Sequence, residues 1–282
     1  MKTLNPNISQ LRMLASIRNQ TWMIRPDIVS EFALAALEVP EKKQEFDPAD
    51  FYPMRTAASI DANGIGHVEI KGALLNQAPK IYEKLGLATT YATIMGETSA
   101  LIASGAKAIL FNVNSPGGTV SGNIEASKFI ESIEIPTASH CDGLACSAAY
   151  KLVAGTGAIF ATESAQVGNI GTILSWSDCS EFWKMQGIEI KALTNDGADL
   201  KSTFHTEPNE AQLAFLQESI NESGQEFRAH VERNRPGIDS EVFRAGWYSG
   251  EKAGSLGLID AIGSKSDAVQ FLVSNLTLNQ NP

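Results

Sequence analysis

Cysteine is scarce in this chain: three residues in 282, Cys141, Cys146 and Cys179. An odd set without metal-ligand spacing argues against both a disulfide framework and a zinc site, and fits reduced, buried thiols in a cytosolic setting. Histidine is limited to His67, His140, His205 and His230, none in a context that singles it out for catalysis. No run approaches the roughly 18 apolar residues that a spanning helix requires. The first twenty residues mix Asn, Gln, Arg and Ser with apolar side chains, unlike the continuous apolar core of a secretory leader. Positive charge is also in deficit. Lys and Arg number 22 against 32 Asp and Glu, for a net charge of -10, and no dense basic cluster occurs. Nucleic acid and anionic membrane surfaces are therefore not expected as partners. A membrane anchor is not expected either, and the expected location is the cytoplasm.

What is present suits an α/β protein of ordinary composition, 43% hydrophobic and 19% charged, long enough for a sizeable core. Residues 1–55 read as a helical segment and linker. Leu11, Met13, Leu14 and Ile17 suggest one helix, and Ile28, Val29, Phe32, Ala35 and Leu37, after Pro26, a second. A polar stretch at 41–50, flanked by Pro40 and Pro53, follows. From about residue 56 to 272 the rhythm is that of alternating strands and helices, which predicts a mostly parallel sheet. Strands are expected at 66–70, 106–113, 137–141, 158–161, 171–174 and 188–193. Helices are expected at 90–103, 119–132, 178–186 and 209–234, with a polar tail at 273–282.

One constellation carries chemistry. Ser147 stands among the small residues Ala145, Ala148 and Ala149, just after an apolar stretch and at the expected mouth of a helix. A hydroxyl there is open to an approaching carbonyl, and unpaired N–H groups at a helix start can stabilise developing negative charge. The plainer alternative is a capping serine. Upstream lies Asn114-Ser115-Pro116-Gly117-Gly118, where the two glycines let backbone approach a ligand closely. Such N–H groups beside a serine make an oxyanion hole, although an ordinary strand-to-helix turn has the same composition. No Gly-Lys-Ser/Thr follows, so the turn is not a phosphate loop.

A serine also needs a proton acceptor. Lys201, in a loop-like stretch after the Asn195-Asp196-Gly197 turn, is one candidate, if burial keeps it neutral. Lys151, four residues after the serine on one helical face, is a rival expected to point along the helix flank. Cys146 is a rival nucleophile facing another direction.

These segments, with Val167-Gly168-Asn169-Ile170-Gly171 and the stretch from Trp247 to Gly263, resemble the signal peptide peptidase A family of serine–lysine peptidases over roughly residues 60–270. The resemblance implies a Clp/crotonase-like core of repeated ββα units. It implies Ser147 as nucleophile, Lys201 as general base, and oxyanion donors from the backbone of Gly117 or Gly118 and of Ala148. It implies no metal and no cofactor. Clp-type relatives carry a histidine near 167–171, which this chain lacks there. The N-terminal segment, with Ile17-Arg18-Asn19-Gln20-Thr21-Trp22, resembles the soluble head-maturation proteases of tailed phages. That implies a scaffold or capsid protein as substrate, self-cleavage, action inside the assembling prohead in the host cytoplasm, and a homo-oligomer. Other readings are a bacterial cytosolic peptidase of the same family, a non-catalytic capsid-assembly protein, and a crotonase-type enzyme acting on an acyl-CoA.

Overall fold

The computed structural model describes residues 22–24, 55–175, 180–201 and 207–278. The helices and linker expected before residue 55 fall outside the described residues, as do Cys179, His205 and the last four positions of the tail. In chain order the elements are β1 (Trp22–Ile24), β2 (Ser59–Ile60), β3 (Ile65–Lys71), β4 (Ala73–Leu75), α1 (Lys80–Lys84), β5 (Ala88–Thr90) and α2 (Tyr91–Ala103). Next come β6 (Ala108–Ser115), β7 (Gly117–Thr119), α3 (Asn123–Glu131), β8 (Thr137–Cys146), α4 (Ala148–Ala154), β9 (Ile159–Ala161) and β10 (Gln166–Gly168). The remainder comprises α5 (Ser180–Met185), α6 (Glu210–Asn234), β11 (Trp247–Ser249), α7 (Gly250–Ser255), β12 (Ala261–Ile262) and α8 (Lys265–Leu278).

The α/β core follows from the apolar run at 106–113. As β6 it lies between β3 and β8, parallel to both, and every residue from Ala108 to Phe111 is buried. Its side chains alternate between two cores, as the two-residue period of a strand requires. Ile109, Phe111 and Val113 join a large cluster with Ile94 and Leu101 of α2, Ile130 of α3 and the apolar face of α4. Ala108 and Leu110 turn the other way, toward Ala268 and Leu272 of α8. The main sheet runs β11-β10-β8-β6-β3-β2, and a smaller one runs β1-β7-β4-β5. Strand β8 serves two neighbours on one side: its first half pairs with β9 and its last residues with β10.

Helix starts obey local chemistry. Asn209 and Gln212 close a reciprocal capping box at α6, and Thr90 accepts the Thr93 N–H at α2. Two expected strands do not form. At 171–174 only an isolated bridge is found. Residues 188–193 are irregular, with Ile188 and Leu193 exposed. Among the described residues no ladder extends over either segment, and a strand without a ladder leaves its backbone groups unpartnered. The helix expected from 119 starts instead at Asn123, because Gly117–Thr119 are drawn into the smaller sheet.

Candidate active site

The site begins with a register change. Between the pairs Val113↔Cys141 and Ser115↔Ala145, β6 supplies Asn114 alone while β8 supplies Asp142, Gly143 and Leu144. The extra residues re-aim the end of β8, as bulges beside functional sites do. Asn114 holds the bulge: its Oδ1 accepts the Leu144 N–H at 3.1 Å, and a Cβ on Gly143 would meet that side chain at 2.6 Å.

The bulge delivers Ser147 to the junction of β8 and α4 with φ 55° and ψ -120°. This is neither the extended geometry of a helix cap nor one an L-residue adopts without strain of about 1–3 kcal/mol. Ser147 makes no side-chain capping bond, which removes the plainer reading of this serine. The strain is held on both sides. Its N–H donates to the Gly168 carbonyl at 2.7 Å, continuing the β8–β10 ladder, and its carbonyl accepts the Lys151 N–H at 3.0 Å. The hydroxyl, on a residue only 1% exposed, donates to the Gly171 carbonyl at 3.4 Å. The 167–171 motif is thus the wall behind the serine. Asn169, itself at φ 55°, anchors that wall by donating to the carbonyls of Gly246 and Ala245. Cys146 faces elsewhere, with its thiol on the Gln166 carbonyl. Cys141 is buried too, and burial pushes its thiol far up, out of nucleophilic range.

The glycines expected as an oxyanion turn form a short strand. Gly117, at φ 108°, donates its N–H to Ser115 Oγ at 3.2 Å. Gly118 lies so close to β4 that a Cβ there would fall 1.8 Å from the Leu74 carbonyl oxygen, so only glycine fits. Ala148 opens α4, where the first N–H groups have no intrahelical partner. Its carbonyl accepts from Asn123 Nδ2 at 3.1 Å, and Tyr91 Oη donates to the Thr119 carbonyl at 2.6 Å. Tyr91 and Asn123 therefore tie the glycine strand to the serine helix. Neither carries a local sequence signal; they are polar groups at 1% and 0% exposure in apolar surroundings.

The candidate bases divide sharply. Lys151 is completely buried and runs along the helix flank as expected, pairing with Glu226 of α6 and lying 5.7 Å from the Phe227 ring centre. Burial lowers its pKa, with Glu226 acting in the opposite sense. Lys201 is exposed, and its N–H donates to the Ala198 carbonyl. Residues 202–206 beside it are outside the described residues. Among the described residues no hydrogen bond joins Lys201 to Ser147. Of the histidines, burial lowers the pKa of His140 and His230, and His67 contacts Asp61. Among the described residues no group of three His, Cys, Asp or Glu could hold a metal ion. None of the described helices is long and apolar enough to cross a membrane.

A cleft of about 380 Å³ lies between residues 170–172 and α6, walled by Gly171, Ile220, Gly224 and Phe243 among others. It shares Gly171 with the serine hydroxyl.

Comparison with known proteins bears on the family and the fold of the core. The model of peptidase family S49 matches residues 130–279, from α3 through α8, and that of Clp protease matches 69–167, which makes the core Clp/crotonase-like. The chain is 32% identical over 175 residues to a putative signal peptide peptidase SppA of Enterococcus faecium, covering 59% of this chain and 50% of that protein. It is 22% identical over 267 residues to the head-tail preconnector protein GP5 of Enterobacteria phage P21, covering 88% and 52%. It is 23% identical over 215 residues to the capsid assembly protease C of Escherichia phage lambda, covering 74% and 49%. The chain spans about half the length of these curated relatives.

Proposed function

We propose that this chain, which belongs to peptidase family S49, is a serine endopeptidase with Ser147 as nucleophile and Lys201 as general base. The observation that carries this reading is the strained, non-capping Ser147 at the β8–α4 junction, near a strand whose position 118 admits only glycine. Neutral Lys201 takes the hydroxyl proton as Oγ bonds to the scissile carbonyl carbon. The backbone N–H groups of Gly117 or Gly118 and of Ala148 stabilise the oxyanion. The C–N bond then breaks, the leaving amine receives the proton from Lys201, and a water activated by the same lysine releases the acyl group. Among the described residues no hydrogen bond joins the exposed Lys201 to Ser147, so this mechanism needs their contact to form. Either its own segment closes or a neighbouring copy in a homo-oligomer supplies it.

The substrate in this reading is a scaffold or capsid protein of a phage, cleaved in the assembling prohead, and the chain itself is a further target. Support comes from the two phage relatives, one of which matches 88% of this chain. The Enterococcus relative favours a second reading, a bacterial peptidase with the same chemistry. Small residues around Ser147 favour Ala- or Ser-like side chains before the cut.

The test is a mass-resolved digest of an unfolded protein and of the chain itself by wild type, Ser147→Ala and Lys201→Ala across pH. Cleavage by wild type alone, rising with pH as an amine deprotonates, is the expected result. Cleavage that survives Ser147→Ala would end the proposal. Survival in Lys201→Ala alone would move the base to another residue.

A further inference from the structure

The glycine strand β7 has two sides, and both are occupied. On one side β4 runs parallel, with Leu74 opposite Gly118. On the other, β1 runs antiparallel, with Trp22, Met23 and Ile24 opposite Thr119, Gly118 and Gly117. Among the described residues β1 ends the smaller sheet, so its removal would leave β7 as an open edge against the helix that follows Ser147. Proteins that bind extended polypeptide commonly do so by adding it as a strand to such an edge.

We propose that Trp22–Ile24 is a cis-acting strap that closes the β7 edge against an extended substrate. The inference rests on the peptidase reading above for the identity of the occupant. The Gly117 N–H is directed to Ser115 Oγ and the Thr119 carbonyl receives Tyr91 Oη. In the alternation of an antiparallel ladder, this leaves Gly118 as the residue whose N–H and C=O face Met23. The strap thus engages a backbone N–H expected to serve the oxyanion, and it must leave before a substrate can use it. Met23 is fully buried, packed in the main apolar cluster. The edge therefore offers an apolar site for one unbranched side chain, and the occupant it takes in trans is an extended apolar peptide segment. A three-residue ladder is a short attachment, which a longer strand can displace.

The experiment uses full-length chains carrying Ser147→Ala, so that nothing is cut, and a fluorescein-labelled synthetic peptide of residues 20–26 read by anisotropy. Met23→Pro removes the N–H that the ladder needs and opens the edge. Since apparent affinity scales with the open fraction, the opened chain should bind the peptide at least about tenfold tighter than its parent. A second variant, Trp22→Cys with Thr119→Cys, joins a non-hydrogen-bonded pair suited to a disulfide. Its oxidised form should bind no peptide, and reduction should restore binding. Equal binding by opened and parent chains, or by oxidised and reduced lock, overturns the proposal. The lock keeps the test decisive if Met23→Pro does not fold. Fluorophosphonate labelling of chains that retain Ser147 separates the two claims. A strap-dependent change in binding without any label sinks the peptidase reading and leaves the strap, whereas label without that change sinks the strap alone.

Discussion

Ser147 is 1% exposed, pinned between the end of a parallel ladder and the first turn of a fully buried helix, while Lys201 lies exposed at the end of an irregular stretch beginning after α5. The half of the site proposed to carry the nucleophile is built by packing. The half that would carry the base has almost no packing: Leu193 is 98% exposed and Leu200 41%. A hydroxyl must be aimed within a fraction of an ångström, so its surroundings are rigid. A lysine that arrives by closure or from another copy cannot be locked in advance. Substitutions that change packing should disturb the fold more in the first half than in the second.

The largest expected effect is that of Ser147→Ala, which should lower peptide hydrolysis by about 10⁴-fold or more. Its melting temperature should scarcely move, since alanine inherits the same backbone strain; residual cleavage near wild type would break the comparison at its strong end. Next, Lys201→Ala should cost about 10²–10⁴-fold in rate, as loss of a general base does. Its unfolding free energy should stay within about 0.5 kcal/mol of wild type in denaturant titrations. If a neighbouring copy supplies the lysine, mixing Lys201→Ala chains with Ser147→Ala chains should restore activity. Failure to recover would place both groups in one chain.

Two glycines sharpen the contrast in stability. A methyl at Gly118 would meet the Leu74 carbonyl, so Gly118→Ala should destabilise by about 1–3 kcal/mol through forced separation of β7 from β4. Gly197, at φ 79° with nothing within 4 Å of a Cβ, should cost only the left-handed backbone penalty, about 1–2 kcal/mol, when changed to Ala. In matched chemical denaturation curves Gly118→Ala should cost more than Gly197→Ala, and the reverse order would break the contrast.

The smallest effect concerns Lys151. Its folded pKa lies below the usual 10.5, so between the folded and unfolded values the unfolded chain binds more protons. There the contribution of Lys151 to stability increases with pH. Relative to Lys151→Met, the wild type should therefore gain stability as pH is raised toward 10.5, and a flat difference would show that Glu226 fully offsets the burial.

Much of this was readable in the residues. The apolar run of β6, the capping box of α6 and the small residues around Ser147 each state their role locally. The motif at 167–171 was visible as a motif, but that its carbonyls receive the Ser147 N–H and hydroxyl was not. The glycines read as a turn because their composition is that of one; they are a strand because Leu74 and Met23 flank them from distant parts of the chain. The strand expected at 188–193 failed for the converse reason, since alternation proposes a strand and only a neighbour makes one. Tyr91 and Asn123 escaped notice because a buried polar residue looks like any other until its partner is known.

The order of residues along the chain was enough to specify an α/β core, its central strand and a candidate serine with glycines nearby, since periodicity and turn chemistry act over a few residues. Long-range contact decided the rest. It set the left-handed backbone of Ser147, the complete burial of Lys151 against a helix some seventy-five residues away, and the docking of Trp22–Ile24 on the glycine strand. Strain, desolvation and ladder pairing are each fixed by whatever lies across the gap, and in this chain that neighbour is always far off in sequence.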